Sequence, residues 1–252
     1  MTGFTALLGK EFAEIRHSWR LWVLPGFVLL QAIVGPVTAL FTKQLLGSMV
    51  SPEMAQTIPE PTYADAWVQW AKNLSPTVLL VVLVSAAGLV AGEVSKQTAV
   101  LVLTKPVSRR AFVLAKFVAT LAFLIMVSVL GAAITGGLTA LLFDGVHWAP
   151  LLSSTLVWLV LAAFYLAATL VASCLIDAPM GAAGAGLGVL LVVSVAGLWG
   201  PLARHTIAGL GGVMNRFAAG EQPAWGWPVA TTVLLTCALV ALAAELFTRR
   251  EI

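Results

Sequence analysis

The sequence predicts an all-α integral membrane protein with six transmembrane helices, preceded by an amphipathic helix lying in the membrane interface. Three observations predict this class. Hydrophobic residues make up 60% of the chain and charged residues only 10%, whereas a soluble domain carries about 25% charged residues. Mean hydropathy is +0.98, so there is too little polar surface to cover a soluble core. The apolar residues also gather into six runs, each near the ~20 residues a helix needs to cross ~30 Å of hydrocarbon. The whole chain, 1–252, reads as a single transmembrane domain.

The elements follow in order. In residues 2–20, Phe4, Leu8, Phe12, Ile15 and Trp19 recur at helical steps, with Lys10, Glu14 and Arg16 between them. That pattern predicts the interfacial helix. These charges also argue against a secretory signal. The predicted spans are 21–41, 74–92, 117–143, 151–175, 180–200 and 229–247. Pro25 and Pro36 predict kinks in the first span, tolerable where neighbours re-satisfy the backbone. Residues 176–179 read as a tight turn between the fourth and fifth spans.

Two external segments are long. Segment 43–73 carries Pro52, Pro59 and Pro61, then Tyr63, Trp67 and Trp70 at helical spacing. The aromatics predict a short helix at the headgroup level. Segment 201–228 carries Gly209, Gly211, Gly212 and Gly220, then Trp225 and Trp227. It reads as a broken, partly re-entrant stretch bounded by interfacial aromatics.

Lys and Arg set the orientation. One side holds Lys10, Arg16, Arg20, Lys96, Lys105, Arg109, Arg110, Lys116, Arg249 and Arg250, the other only Lys43, Lys72, Arg204 and Arg216. Both termini are therefore expected in the cytoplasm, in a multi-pass protein of the plasma membrane. The net charge of +3 belongs to this asymmetry. With no basic patch interleaved with aromatics, no nucleic-acid partner is expected.

Chemistry-bearing motifs are scarce. Gly3 to Gly9-Lys10 has the wrong spacing for a phosphate-binding loop and is followed by Glu11. His17, His147 and His205 fall in different segments, and Cys174 and Cys237 sit in apolar runs without metal-type spacing. Isolated Ser, Thr and Tyr165 have no base beside them, which weighs against an intramembrane enzyme. No charge lies mid-span, which weighs against a proton relay. Glu93 and Glu245 lie at span ends, Glu245 at helical spacing from Arg249. Lys116 is expected to snorkel from the start of the third span. Gly88/Gly92 and Gly184/Gly188 have the spacing that lets helices approach closely.

The densest polar stretch runs from Glu93 to Lys116. Glu93, Lys96 and Gln97 share a helical face, Val100, Leu101 and Leu103 add an apolar surface, and Lys105-Pro106 stops the helix. Ser108 stands as an N-cap ahead of the next apolar run. An apolar patch framed by charges on a cytoplasmic loop suits a soluble partner.

Here the sequence resembles the permease subunits of ABC-2-type transporters. The matching positions are Glu93 after the second span, Thr98, the apolar run 100–103, the turn 106–109 and Lys116. The interfacial helix, six spans and broken stretch before the last span agree, although the first external segment is longer than in several members. The resemblance implies the ABC-2-type exporter fold, moving an amphipathic or hydrophobic cargo such as a drug, lipid or peptide. It implies that loop 93–110 is a coupling helix docking into a separate ABC-type ATPase, with Glu93, Lys96, Thr98, Leu101, Lys105, Pro106 and Arg109 as coupling residues. It further implies two ATPase copies, a second permease copy forming a homodimer, and ATP and Mg bound by the partner rather than by this chain. A non-transporting membrane scaffold or assembly factor is the alternative.

The orientation is directly testable. In a cysteine-free background, Ser108→Cys should react with a membrane-impermeant maleimide only in opened cells, and Glu221→Cys in intact ones. The reverse pattern refutes the topology.

Overall fold

A computed structural model of the chain describes residues 2–47, 59–95, 97 and 107–250. Every regular element among them is helical, and six helices are long and apolar enough to cross a membrane. Helix α1 (Thr2–Arg16) precedes the first span, α2 (Arg20–Gly47). The second span, Tyr63–Ser95, is built from α3 (Tyr63–Asn73), a π-helical turn (Leu74–Val78), α4 (Leu79–Ala87) and α5 (Ala91–Ser95). Then come α6 (Arg109–Leu142), α7 (Ala149–Leu175) and α8 (Pro179–Ala196). The broken stretch is α9 (Gly200–His205), a 3-10 turn (Ile207–Gly209) and α10 (Leu210–Ala218), before α11 (Gly226–Arg249).

Helix α7 is the hub, packing against α4, α6, α8, α10 and α11. Two-thirds of its apolar window (67%) is buried inside the chain, against 17% for α8. Helix α8 therefore leaves most of its surface for lipid or another helix. Small residues set the closest approaches. A Cβ at Gly131 of α6 would stand 2.5 Å from Val28 and 2.7 Å from Trp70, and one at Gly136 would stand 2.1 Å from Trp148.

The aromatic helix expected in segment 43–73 forms as α3 and runs on into the second span. Trp67 and Trp70 are fully buried inside the chain. The Trp70 indole donates to Thr155 Oγ1 at 3.1 Å, and the Trp67 indole to the His147 carbonyl at 3.2 Å. At the start of α3, Asp65 accepts hydrogen bonds from the Thr62 backbone N–H at 2.7 Å and from its hydroxyl at 3.0 Å. This satisfies an orphan donor at the helix start.

The second span is interrupted twice. Ser75 is extended ahead of Pro76, which has no N–H to donate to a helical ladder. The second break, between α4 and α5, is splinted by α7. Ser173 Oγ accepts from the Val90 and Ala91 N–H groups at 3.1 and 2.9 Å and donates to the Ala87 carbonyl at 2.7 Å. One buried hydroxyl thus serves three backbone groups that have lost helical partners.

Helix α1 packs on α6, as an amphipathic helix should, but its buried stripe is Leu7, Glu11 and Ile15. Phe12 and Trp19, expected on the apolar face with Ile15, are exposed. Two apolar stripes lie side by side on this helix, and packing on α6 selects the one containing Glu11. The stretch before α11 is broken into α9, a 3-10 turn and α10, and α10 buries Leu210, Val213 and Met214 and packs against α7.

Ser173→Ala removes the splint from buried backbone. Its expected cost is about 1–3 kcal/mol, seen as a lowered thermal unfolding midpoint in detergent. An unchanged midpoint would show that the break is held by other contacts.

Candidate functional site

The two roots of the 93–116 stretch meet at a buried ion cluster. Glu93 in α5 is buried and points inward rather than along a solvent-facing surface. Lys116 in α6 is 0% exposed, so it does not snorkel. Its Nζ lies 2.5 Å from Glu93 Oε1 and 3.1 Å from both Glu11 carboxylate oxygens. Helix α1 packs against α6 here and contributes Glu11 as a counter-charge.

Lys10 of α1 widens the cluster. It pairs with Glu93, with Glu11 at 3.0 Å and with Glu14 at 3.1 Å. Both ammoniums stand over the Phe112 ring, Lys116 at 4.8 Å and Lys10 at 5.7 Å from its centroid. Such cation–π contacts add about 0.5–2 kcal/mol each. Arg20 stands in the field of Glu11, Glu14 and Glu93, so three cations face three carboxylates.

The electrostatics follow from burial and charge together. Burial pulls the Lys10 ammonium toward lower values. The hydrogen bond to Glu93 and the charges of Glu11 and Glu93 outweigh it, holding Lys10 above its ordinary value. Burial likewise raises Glu14, but Lys116 and Lys10 outweigh it and hold Glu14 below the usual carboxylate range. Both groups therefore stay charged at neutral pH. Carboxylate oxygens of Glu11, Glu14 and Glu93 lie within 4.8 Å of one another, a spacing that a divalent cation could bridge. The lysine ammoniums already occupy that role.

Arg109 lies away from this cluster. It is half-buried and donates to the carbonyls of Thr248 and Arg250, orphans at the end of α11. Ser108 caps α6, accepting from the Ala111 N–H at 3.1 Å. Arg110 pairs with Glu245 at 2.8 Å, and Glu245 with Arg249 at 3.1 Å. Phe112 stacks on Phe247, with centroids 5.2 Å apart. Arg250 donates to the Cys174 carbonyl at 2.8 Å and pairs with Asp177, closing the end of α7. Of the expected coupling residues, Glu93 and Arg109 thus serve two neighbouring clamps. Lys96, Thr98, Leu101, Lys105 and Pro106 lie outside the described residues.

Sequence reasoning missed Glu11 and Lys10 as partners of Glu93. The available signal was an acidic residue at helical spacing between Leu7 and Ile15, which can only stay buried if it is paired.

Lys116→Met keeps volume but leaves the buried carboxylates short of a cation. We expect a loss of about 3–5 kcal/mol, read as a lower unfolding midpoint, partly restored by Glu93→Gln in the same chain. No recovery in the double variant would separate the two residues energetically.

Residues 5–215 match the family model described as ABC-2 family transporter protein. No curated protein matches the chain. The match covers all but the last predicted span and includes most of α1 and both roots of the ion cluster. The chain is therefore a multi-pass membrane protein belonging to the ABC-2 family of transporter proteins.

Proposed function

We propose that this transport permease is the membrane subunit of an ATP-driven exporter, working with separate ABC-type ATPase subunits. Family membership implies association with an ABC ATPase. The observation that carries the coupling reading is the shared clamp at the loop's two roots. Glu93 begins the loop, Lys116 follows it, and they form one ion pair that also grips α1. A push on the loop is then received by the second span, the third span and α1 together. Such an element can bias the protein between two packed arrangements rather than deform it gradually.

In this reading the loop 93–110 carries the docking surface, with Lys96, Thr98, Leu101, Lys105 and Pro106 toward the ATPase. Glu93 and Arg109 anchor its ends. ATP and Mg belong to the partner, and both termini face the cytoplasm at the plasma membrane. The cargo is amphipathic or hydrophobic, consistent with spans that carry no mid-span charge. A second copy of the chain completes the unit. On α8, Gly184 and Gly188 have open space before them, as a close helix–helix contact requires.

The test is co-purification with a co-expressed ABC ATPase, with the mass of the complex measured. Wild type should retain the partner as two permeases with two ATPases. Leu101→Asp with Lys105→Glu should weaken retention by about tenfold or more, roughly 1.4 kcal/mol, without lowering the unfolding midpoint. Retention unchanged by the loop variant refutes docking there.

A further inference from the structure

Helix α11 runs from the ion cluster, near Phe247, to a cavity at the far end of the bundle lined by Trp227. The separation along the helix is roughly 30 Å. This cavity, of about 720 Å³, lies between the broken stretch and the start of α11. Two arginines, Arg204 and Arg216, line it, and no carboxylate does. Neither arginine has an ion-pair partner among the described residues. Glu221, the acidic residue that follows Arg216, pairs with neither of them.

That concentration of charge is unusual for its position. Of the Lys and Arg residues on the sparsely charged side, Lys43 is paired with Glu60. Arg204 and Arg216 converge on one cavity with no counter-charge. Beside the arginines, His205 is the other polar side chain of the lining, and the rest of the wall is apolar, including Val213, Trp227 and Pro228. The neighbouring surface is apolar too: Leu198 is 86% and Trp199 64% exposed, as residues facing lipid and its headgroup layer are.

The cavity is built by the fold. A Cβ at Gly209 would stand 1.6 Å from the Ala203 carbonyl oxygen, so only glycine lets the chain turn back there. The Thr231 hydroxyl donates to the His205 carbonyl at 2.8 Å, tying α9 to α11. By contrast, Gly212 lines the cavity and has open space before it. A side chain added at Gly212 would enter the cavity.

We propose that this cavity binds an anionic amphiphile, its phosphate or carboxylate head on Arg204 and Arg216 and its apolar part against Val213 and Trp227. Arginine's planar donors suit such heads and form charge-assisted hydrogen bonds with them. The site is independent of ATPase docking, so either reading can fail without the other.

The experiment uses the full chain in a neutral detergent, with affinities measured for three probes. These are dihexanoyl-phosphatidylglycerol, dihexanoyl-phosphatidylcholine and inorganic phosphate. Wild type should bind the anionic lipid about tenfold or more tighter than the zwitterionic one, as expected for charge-assisted contacts. Arg204→Ala with Arg216→Ala should reduce that preference to within about twofold. Gly212→Leu should weaken both lipids by filling the cavity, and Lys43→Ala with Lys72→Ala should leave the preference intact. The proposal is overturned if the preference survives loss of both arginines or is lost equally in the Lys43/Lys72 variant. It is also overturned if inorganic phosphate binds as tightly as the anionic lipid, because the apolar wall would then have no part.

Discussion

The structure turns on a lysine with no access to water. Lys116 is held between Glu11 and Glu93, and the arrangement of one end of the bundle follows from its need for counter-charge. A buried ammonium without partners would be neutralised or expelled. Its two carboxylate partners reach it because α1 lies across α6 and Glu93 of α5 turns inward. The same packing brings Phe112 beneath the two ammoniums, and Phe112 in turn stacks on the last span. Helices remote in sequence are thereby fastened to one another around a few atoms.

Next to this clamp is a second, made from the ends of helices. Arg109 and Arg250 bind the terminal carbonyls of α11 and α7, while Arg110 and Glu245 link α6 to α11. Lys116 of the first clamp is fully buried, though Lys10 and Glu14 are partly exposed, and the second clamp is more open to solvent, so they respond differently to ionic strength. Together they fix the base from which loop 93–110 emerges. The two roots of that loop are thus held by neighbouring sets of contacts.

Much of this fold was legible in the sequence, because a bilayer imposes length and composition directly. The spans, the cap at Ser108, the Glu245–Arg249 pair and the broken stretch before α11 all follow from local pattern. What local pattern misses is the choice among surfaces. Trp67 and Trp70 have spacing that suits an exposed helix or a buried one, and their burial rests on distant partners, Thr155 and the His147 carbonyl among them. Lys116 near a span end reads as a snorkelling side chain until Glu11, 105 positions away, is brought beside it. The same separation hid Glu11 and Lys10 from the candidate site. Glu93 was found, since a polar residue leaving an apolar run is conspicuous, but its inward direction depends on those distant partners.

The two interruptions of the second span have a mechanical consequence. Bending stiffness of a helix comes from an unbroken ladder of backbone hydrogen bonds, and here the ladder is cut at Ser75-Pro76 and again between Ala87 and Ala91. The span is therefore three short rods joined end to end, not one beam. Torque applied at α5 is dissipated at the nearer joint unless Ser173 passes it sideways into α7. Through one hydroxyl, the hub helix thus stiffens the joint that the broken ladder leaves soft.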